Sequence, residues 1–332
     1  MPAQTSWLES LTLVKLQRLA TIIGSPSSGT KAVRIAGIRE AIDKAAPLDK
    51  TSTGLSLLSI DMGIRNLAFA HIKAPAILGS DGFYQYGQPM IETWQRLSVS
   101  TPEGSTTSVQ ARKAGPPVEE NGLRSGPAPG AKAKKESFEP IDFAAHAYRF
   151  IDHVLKTHKP NQILIERQRF RTGGQASVQE WTIRVGVFEG MLYAVLRALA
   201  GERKLNLHID PMQPARVNGS WLEGSDSPKT AQGKRLSSRD VKQAKIALVC
   251  RMLEGKAKHS SFTVSEQLQP FTEDFTSVWK KEARDKKSAN GGIGKLDDLA
   301  DSLLQGLAWI NWQNNRIRLR LLGKEAFDLD TS

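Results

Sequence analysis

Two short apolar runs in this chain each stop at a carboxylate, and no other feature constrains the fold as tightly. In "LLSID", Leu57, Leu58 and Ile60 read as a buried strand with Asp61 at its carboxyl end. In "ILIE", Ile163, Leu164 and Ile165 lead to Glu166 in the same way. An ionised acid at the end of a buried strand is costly unless a cation meets it. Gly63 permits a tight turn after the first run, so Leu67 to Ile72 is expected to return as a strand beside it.

A third acidic element lies near the end, in "KLDDLADSLLQGLAWINW". Leu299, Leu303, Leu307 and Ile310 mark an amphipathic helix, and Asp301 falls four residues after Asp297 and three after Asp298. Asp301 can therefore share a face with either one. Capping accounts for one or two acids at a helix start but poorly for a third, because like charges at this spacing oppose the helix.

The remaining segments supply a frame. Leu11 to Ile42 gives two short amphipathic helical patterns joined by "GSPSSGTK", where helix-start N–H groups with Lys31 and Arg34 suit a phosphate. "PMIETWQRLSV" reads as a third strand, and Ser98 to Pro140, dense in Pro, Gly, Ser and charge, as a disordered insertion. A helix over "IDFAAHAYRFIDHVLKTHK" follows; its His146 and His153 have no third partner for zinc. After Glu166 comes a long helix, "SVQEWTIRVGVFEGMLYAVLRAL", then "KLNLHIDPMQPARVNGSW" as a strand with a proline-broken exit. "SSRDVKQAKIALVCRML" starts on serine and continues with helical periodicity, and "LEGSDSPKTAQGKRLSS" and "VWKKEARDKKSANGGIGK" read as flexible basic loops.

In a mixed α/β sheet, adjacent strand ends and a helix packed beside them can converge at one edge. Oxygen-only donors suit Mg²⁺ or Mn²⁺, and two such ions about 4 Å apart support phosphodiester hydrolysis by activating water and stabilising the leaving oxygen. "RQRFRTGGQ", beside Glu166, adds Arg167, Arg169 and Arg171 for backbone phosphates, with Phe170, Gly173 and Gly174 to contact or enter an opened duplex. Lys242 is a further candidate near the scissile phosphate. A formal charge of +12 suits a polyanionic partner. The single cysteine, Cys250, sits in an apolar helical pattern and excludes an internal disulfide. No apolar stretch reaches the roughly 20 residues of a membrane span, and the N-terminus shows neither a secretory core nor a clear organelle presequence.

The order of elements resembles the ribonuclease H-like fold. More narrowly, "LSIDMGIRNLAFA", "ILIERQRFRTGG" and "KLDDLADSLLQGLAW" resemble the fungal mitochondrial cruciform-cutting Holliday junction resolvases, and "LTLVKLQRLATIIGSPSSGTKAVRI" resembles the small SAP-like helical module of that family. The resemblance implies an α/β fold with a mixed five-stranded sheet flanked by helices, a SAP-like module over 1–50 and a nuclease domain over 55–320. It also implies a mitochondrial, Mg²⁺-dependent endonuclease, with two ions per site, that acts as a homodimer on four-way DNA junctions. The paired nicks would leave 5′-phosphate and 3′-hydroxyl ends. The catalytic, metal-holding positions would fall on Asp61, Glu166 and Asp301 with Asp298 or Asp297. The apolar surface from Val185 to Leu199 is either the dimer face or internal core. Three rivals stay open: an actin-like ATPase, a non-catalytic junction binder, and another ribonuclease H-like nuclease.

Overall fold

The computed structural model describes residues 5–45, 47–98, 137–168, 180–222, 237–257, 262–284 and 293–327. The strands are β1 (Leu55–Asp61), β2 (Leu67–Ala74), β3 (Ala76–Leu78), β4 (Tyr84–Tyr86), β5 (Met90–Leu97), β6 (Gln162–Glu166), β7 (His208–Met212) and β8 (Thr263–Val264). The α-helices are α1 (Leu13–Ile22), α2 (Lys31–Asp43), α3 (Pro140–His158), α4 (Glu180–Glu202), α5 (Pro214–Leu222), α6 (Ser238–Leu253), α7 (Gln269–Arg284) and α8 (Ile293–Leu322).

One mixed sheet runs in the order β7-β6-β1-β2-β5-β8. β1 pairs antiparallel with β2 and parallel with β6, which places the two acid-ended strands side by side. Side chains alternate along β1. Leu58 and Ile60 enter the core under α3 and α4, with Phe69, Phe143, Phe188 and Leu192. Leu57 enters the opposite core, with Leu164 and, from α8, Leu303, Leu304 and Leu307. By the same alternation, Asp61 and Glu166 belong to the α8 side of the sheet.

α8 lies tight against that side. Trp94 of β5 donates its indole N–H to the Leu299 carbonyl (2.9 Å), and Gln305 Nε2 donates to Ser59 Oγ and the Ile60 carbonyl (both 3.1 Å). A Cβ at Gly306 would stand 2.6 Å from Ile72 Cδ1 and 3.2 Å from Ser59 Cβ, so the helix touches the sheet where it has no side chain.

The far end of α8 seats the N-terminal helices. Leu16, Leu19, Ile35, Ile38 and Ile42 share a small core with Leu319 and Ala326. Asn315 and Arg316 donate to the Ile22 and Ile23 carbonyls at the end of α1 (2.9 and 2.7 Å). These bonds satisfy carbonyls that a helix end leaves without partners.

Three sequence expectations need correction. The main sheet has six strands rather than five, because the two-residue β8 is too short to show a period and pairs parallel with β5. The small β3–β4 hairpin lies outside that sheet. The proline-broken exit after β7 is a helix, α5, with Pro214 at its first position, where a missing N–H costs nothing. Residues 278–284 of the expected flexible basic stretch belong to α7, whose Phe275 is buried and packs against Trp94. The serine-led helix forms as read, with a capping box between Ser237 and Asp240. Cys250 is a buried free thiol. Most of the 98–140 insertion lies outside the described residues.

Candidate active site

The pairing of Ile60 with Ile165 carries the next residues, Asp61 and Glu166, out of neighbouring strand ends together. Asp61 is only 7 % exposed, and the Glu166 carboxyl is near enough to act on its own. Burial, then Glu166, then the charges of Asp301 and Asp298 hold Asp61 well above the usual carboxylate range. Burial and the neighbouring Asp297 push Asp298 up to about 7, against the pull of Arg96 and Lys242. Asp301 rises to about 6, again chiefly through burial, with Lys245 opposing.

Two lysines of α6 meet these acids. Lys242 Nζ lies 2.5 Å from Asp297 Oδ2. Lys245, itself buried, contacts both oxygens of Asp301 and stands 3.6 Å from Asp297 Oδ1. Even so, Asp297 Oδ1 and Asp298 Oδ2 are buried with no hydrogen-bond partner. A cavity of about 30 Å³ opens between Glu166, Lys245, Asp301 and Gln305, with Asn218 of α5 on its wall. Among the described residues, no three carboxylate, imidazole or thiolate groups stand ready to hold a metal ion. The lysine ammoniums take the acid oxygens such an ion would use. The donor set nevertheless fits a hard divalent cation: it is all oxygen, crowded, and includes two orphaned carboxylate oxygens.

The structure thus gathers Asp61, Glu166, Asp297, Asp298 and Asp301, with Lys242 on Asp297. Arg167 follows directly, its backbone N–H donating to the Met212 carbonyl (2.7 Å). Arg169, Phe170, Arg171, Gly173 and Gly174 lie outside the described residues. Lys31 and Arg34 do not join the acids; they donate to the Glu9 and Leu13 carbonyls (2.6 and 2.7 Å) and tie the N-terminal helices together. Sequence reasoning missed Lys245 and Gln305. The signal for Lys245 was a cation beside Ile246 on a core-facing helix. Gln305 lies one helical turn beyond Asp301 on the same face. It also missed Arg96, which reaches Asn66 Oδ1 at 3.3 Å as well as acting on Asp298.

The chain resembles several known proteins. It is 24% identical over 326 residues to the mitochondrial cruciform cutting endonuclease 1 of Saccharomyces cerevisiae, covering 91% of this chain and 82% of that one. It is 27% identical over 184 residues to the protein of the same name from Schizosaccharomyces pombe, covering 54% and 60%. Its fold matches the crystal structure of the yeast mitochondrial Holliday junction resolvase Ydc2 with a TM-score of 0.54 at 21% identity, over 95% of this chain and 99% of that one. The model for the catalytic domain described as mitochondrial resolvase Ydc2 / RNA splicing MRS1 matches residues 57–319, a span that includes every acid of the cluster, and the chain belongs to that family.

Proposed function

We propose that this chain is a mitochondrial endodeoxyribonuclease that resolves four-way DNA junctions by paired, metal-dependent phosphodiester hydrolysis. One observation carries the reading: five carboxylates from two strands and a helix meet at the carboxyl end of the paired strands β1 and β6. In a chain of net charge +12, such a cluster repels a phosphate backbone unless cations intervene. A protein that only bound RNA or a junction would gain nothing from it. That argument favours the resolvase side of the family description over its RNA-splicing side, and the names of both curated relatives support it.

Asp61, Glu166, Asp298 and Asp301 would hold two Mg²⁺ or Mn²⁺ ions, with Asp297 as an alternative ligand. When bound, the ions lower the pKa of the attacking water and neutralise the departing 3′ oxygen. The protein's own groups do the rest. Lys245 and Lys242 hold Asp301 and Asp297 in place, and Gln305 locks the acid-bearing turn of α8 to the end of β1. Arg167 and the residues after it contact the backbone, as do Lys31 and Arg34 of the N-terminal helices, read as a SAP-like module. Cutting two strands of one junction calls for two sites, which a two-fold homodimer provides. Val185, Phe188, Leu192, Leu196 and Leu199 face the chain's own core, so Trp181, Ile183 and Val187, exposed on α4, are the better candidates for the dimer face. Among the described residues, no helix is long and apolar enough to cross a membrane.

The deciding experiment incubates the protein with a labelled immobile junction and a matched linear duplex in Mg²⁺, alongside Asp61→Asn and Glu166→Gln. Paired nicks on the junction alone, absent in both variants while junction binding persists, are expected. Binding without cleavage by the wild type would overturn the nuclease reading.

A further inference from the structure

Three cations among the described residues act on the aspartates of α8, and they are not equally occupied. Lys242 is closed on Asp297, and Lys245 on Asp301. Arg96 of β5 attracts Asp298 but, among the described residues, forms no ion pair. Its one hydrogen bond among them runs from Nη1 to the exposed Asn66 Oδ1, at 3.3 Å. Arg96 is half-buried, yet its Nε and Nη2 are not among the buried atoms that lack a partner, so both open to solvent.

The sheet register puts this arginine beside the acids. Asp61 of β1 pairs with Ala68 of β2, and Ala68 with Arg96, so the three form one row across the sheet. Directly opposed residues of antiparallel strands share a face, and Ala68 and Trp94 lie in the core under α8. Arg96 therefore belongs to the same side as Asp61, two strand spacings or about 10 Å away, on the flank opposite Glu166 of β6. Trp94, two residues back on that face, bonds the Leu299 carbonyl next to Asp298 and fixes β5 against the helix acids. A guanidinium serving only as a counter-charge would close on Asp298, whose Oδ2 is buried without a hydrogen-bond partner. Arg96 leans instead on Asn66, in the turn that leaves β1.

We propose that Arg96 is a phosphate-binding residue of the acid centre, its Nε–H and Nη2–H donating to a backbone phosphate of the strand being cut, with Asn66 as its positioning residue. These two groups form the side edge of the guanidinium, the edge that makes two parallel bonds to one phosphate. The assignment rests on the nuclease reading above and deepens it. The two lysines hold the protein's own carboxylates, whereas the arginine is left for the substrate, and it would fix the strand on the side of Asp61 away from Glu166.

The test scans a four-way junction with single methylphosphonates, each of which removes the charge of one phosphate. Binding to the full-length protein is measured in Ca²⁺, an oxygen-seeking ion with a larger and less regular shell than Mg²⁺, and single-turnover cleavage in Mg²⁺. One position is expected to weaken wild-type binding about tenfold, the scale of a lost charge-assisted hydrogen bond, and to leave Arg96→Met binding unchanged. Arg96→Lys should fall between the two, because an ammonium lacks the fork. Asn66→Ala, which frees the guanidinium without removing it, should lose less than Arg96→Met. Thermal melts establish that each variant folds; if Arg96→Met does not, the same comparison is made with Arg96→Lys. If the loss from Arg96→Met is the same at every methylphosphonate, the arginine is only a counter-charge for Asp298 and the assignment is overturned, whether or not the junction is cut. Cleavage without such a position leaves the nuclease reading standing alone. Such a position without cleavage keeps the phosphate contact and removes the nuclease reading, and no binding removes both.

Discussion

The two ends of β1 treat buried ionisable groups in opposite ways. At its carboxyl end, burial raises Asp61, Asp298 and Asp301, and their mutual charges add to the shift. Near its start, His71 of β2 is 1 % exposed, hydrogen-bonds Ser56 Oγ through Nε2 (2.9 Å) and stacks on His158 with ring centroids 4.6 Å apart. Burial, then His158, lowers His71 to about 4, and burial, then His153, lowers His158. Both ends are driven towards neutrality, but neutral imidazoles are the ordinary state near pH 7 and neutral carboxylates are not. The histidine end is therefore at rest at physiological pH. The acidic end is under tension that only cations relieve, and this difference separates a packed structural cluster from a chemical one.

The largest expected effect removes the centre of the acidic end. Asp61→Asn is expected to lower junction cleavage by about a thousandfold or more, the scale of removing a group that acts directly on transition-state charge. Single-turnover cleavage with separate binding measurements checks it. Next, Lys245→Met leaves Asp301 and Asp297 without their buried cation, and is expected to cost about 3–5 kcal/mol of metal-free stability, part of it recovered with Mg²⁺. Urea melts with and without the ion measure this. An unchanged midpoint would mean that the lysine does not carry the charge balance.

The two smaller predictions concern pH and run in opposite directions. A carboxylate whose folded pKa lies above its unfolded one loses stability as pH rises between the two values. For Asp298 that window runs from 3.8 to about 7, so Asp298→Asn is expected to stabilise the metal-free protein by a few kcal/mol at pH 8 and to give no gain below pH 4. A histidine with a lowered folded pKa contributes stability above its unfolded pKa and loses it as pH falls. His71→Gln is expected to flatten the wild-type decline from pH 6.5 to about 4 by up to one proton's worth of slope. Melting temperatures across pH 4 to 8 test both. Slopes of the same sign for the two variants would break the comparison.

The acidic end was more legible in the sequence than the histidine end. Asp61 and Glu166 announce themselves because each interrupts an apolar strand, and Asp297, Asp298 and Asp301 because they crowd one helix start. His71 gives no such signal: it sits inside "LAFAHI", and its partner His158 lies on α3, far along the chain. Lys245 was hidden for a related reason, since a lysine in a helical pattern reads as solvated surface until a tertiary neighbour claims it. The short strands β3, β4 and β8 and the helix α5 escaped because two to nine residues carry too little periodicity to outweigh prolines and turns.

One absence, the missing side chain at Gly306, has a consequence for how this molecule tolerates change. The separation of α8 from the sheet is set there by contact with Ile72 and Ser59, five residues from Asp301. The distance between the strand acids and the helix acids is thus inherited from a residue that touches neither substrate nor ion. Drift at that position would be filtered by chemistry rather than by folding: a chain that still assembles its sheet, with its acids a fraction of an ångström too far apart, would be a folded protein with a mistuned reaction centre.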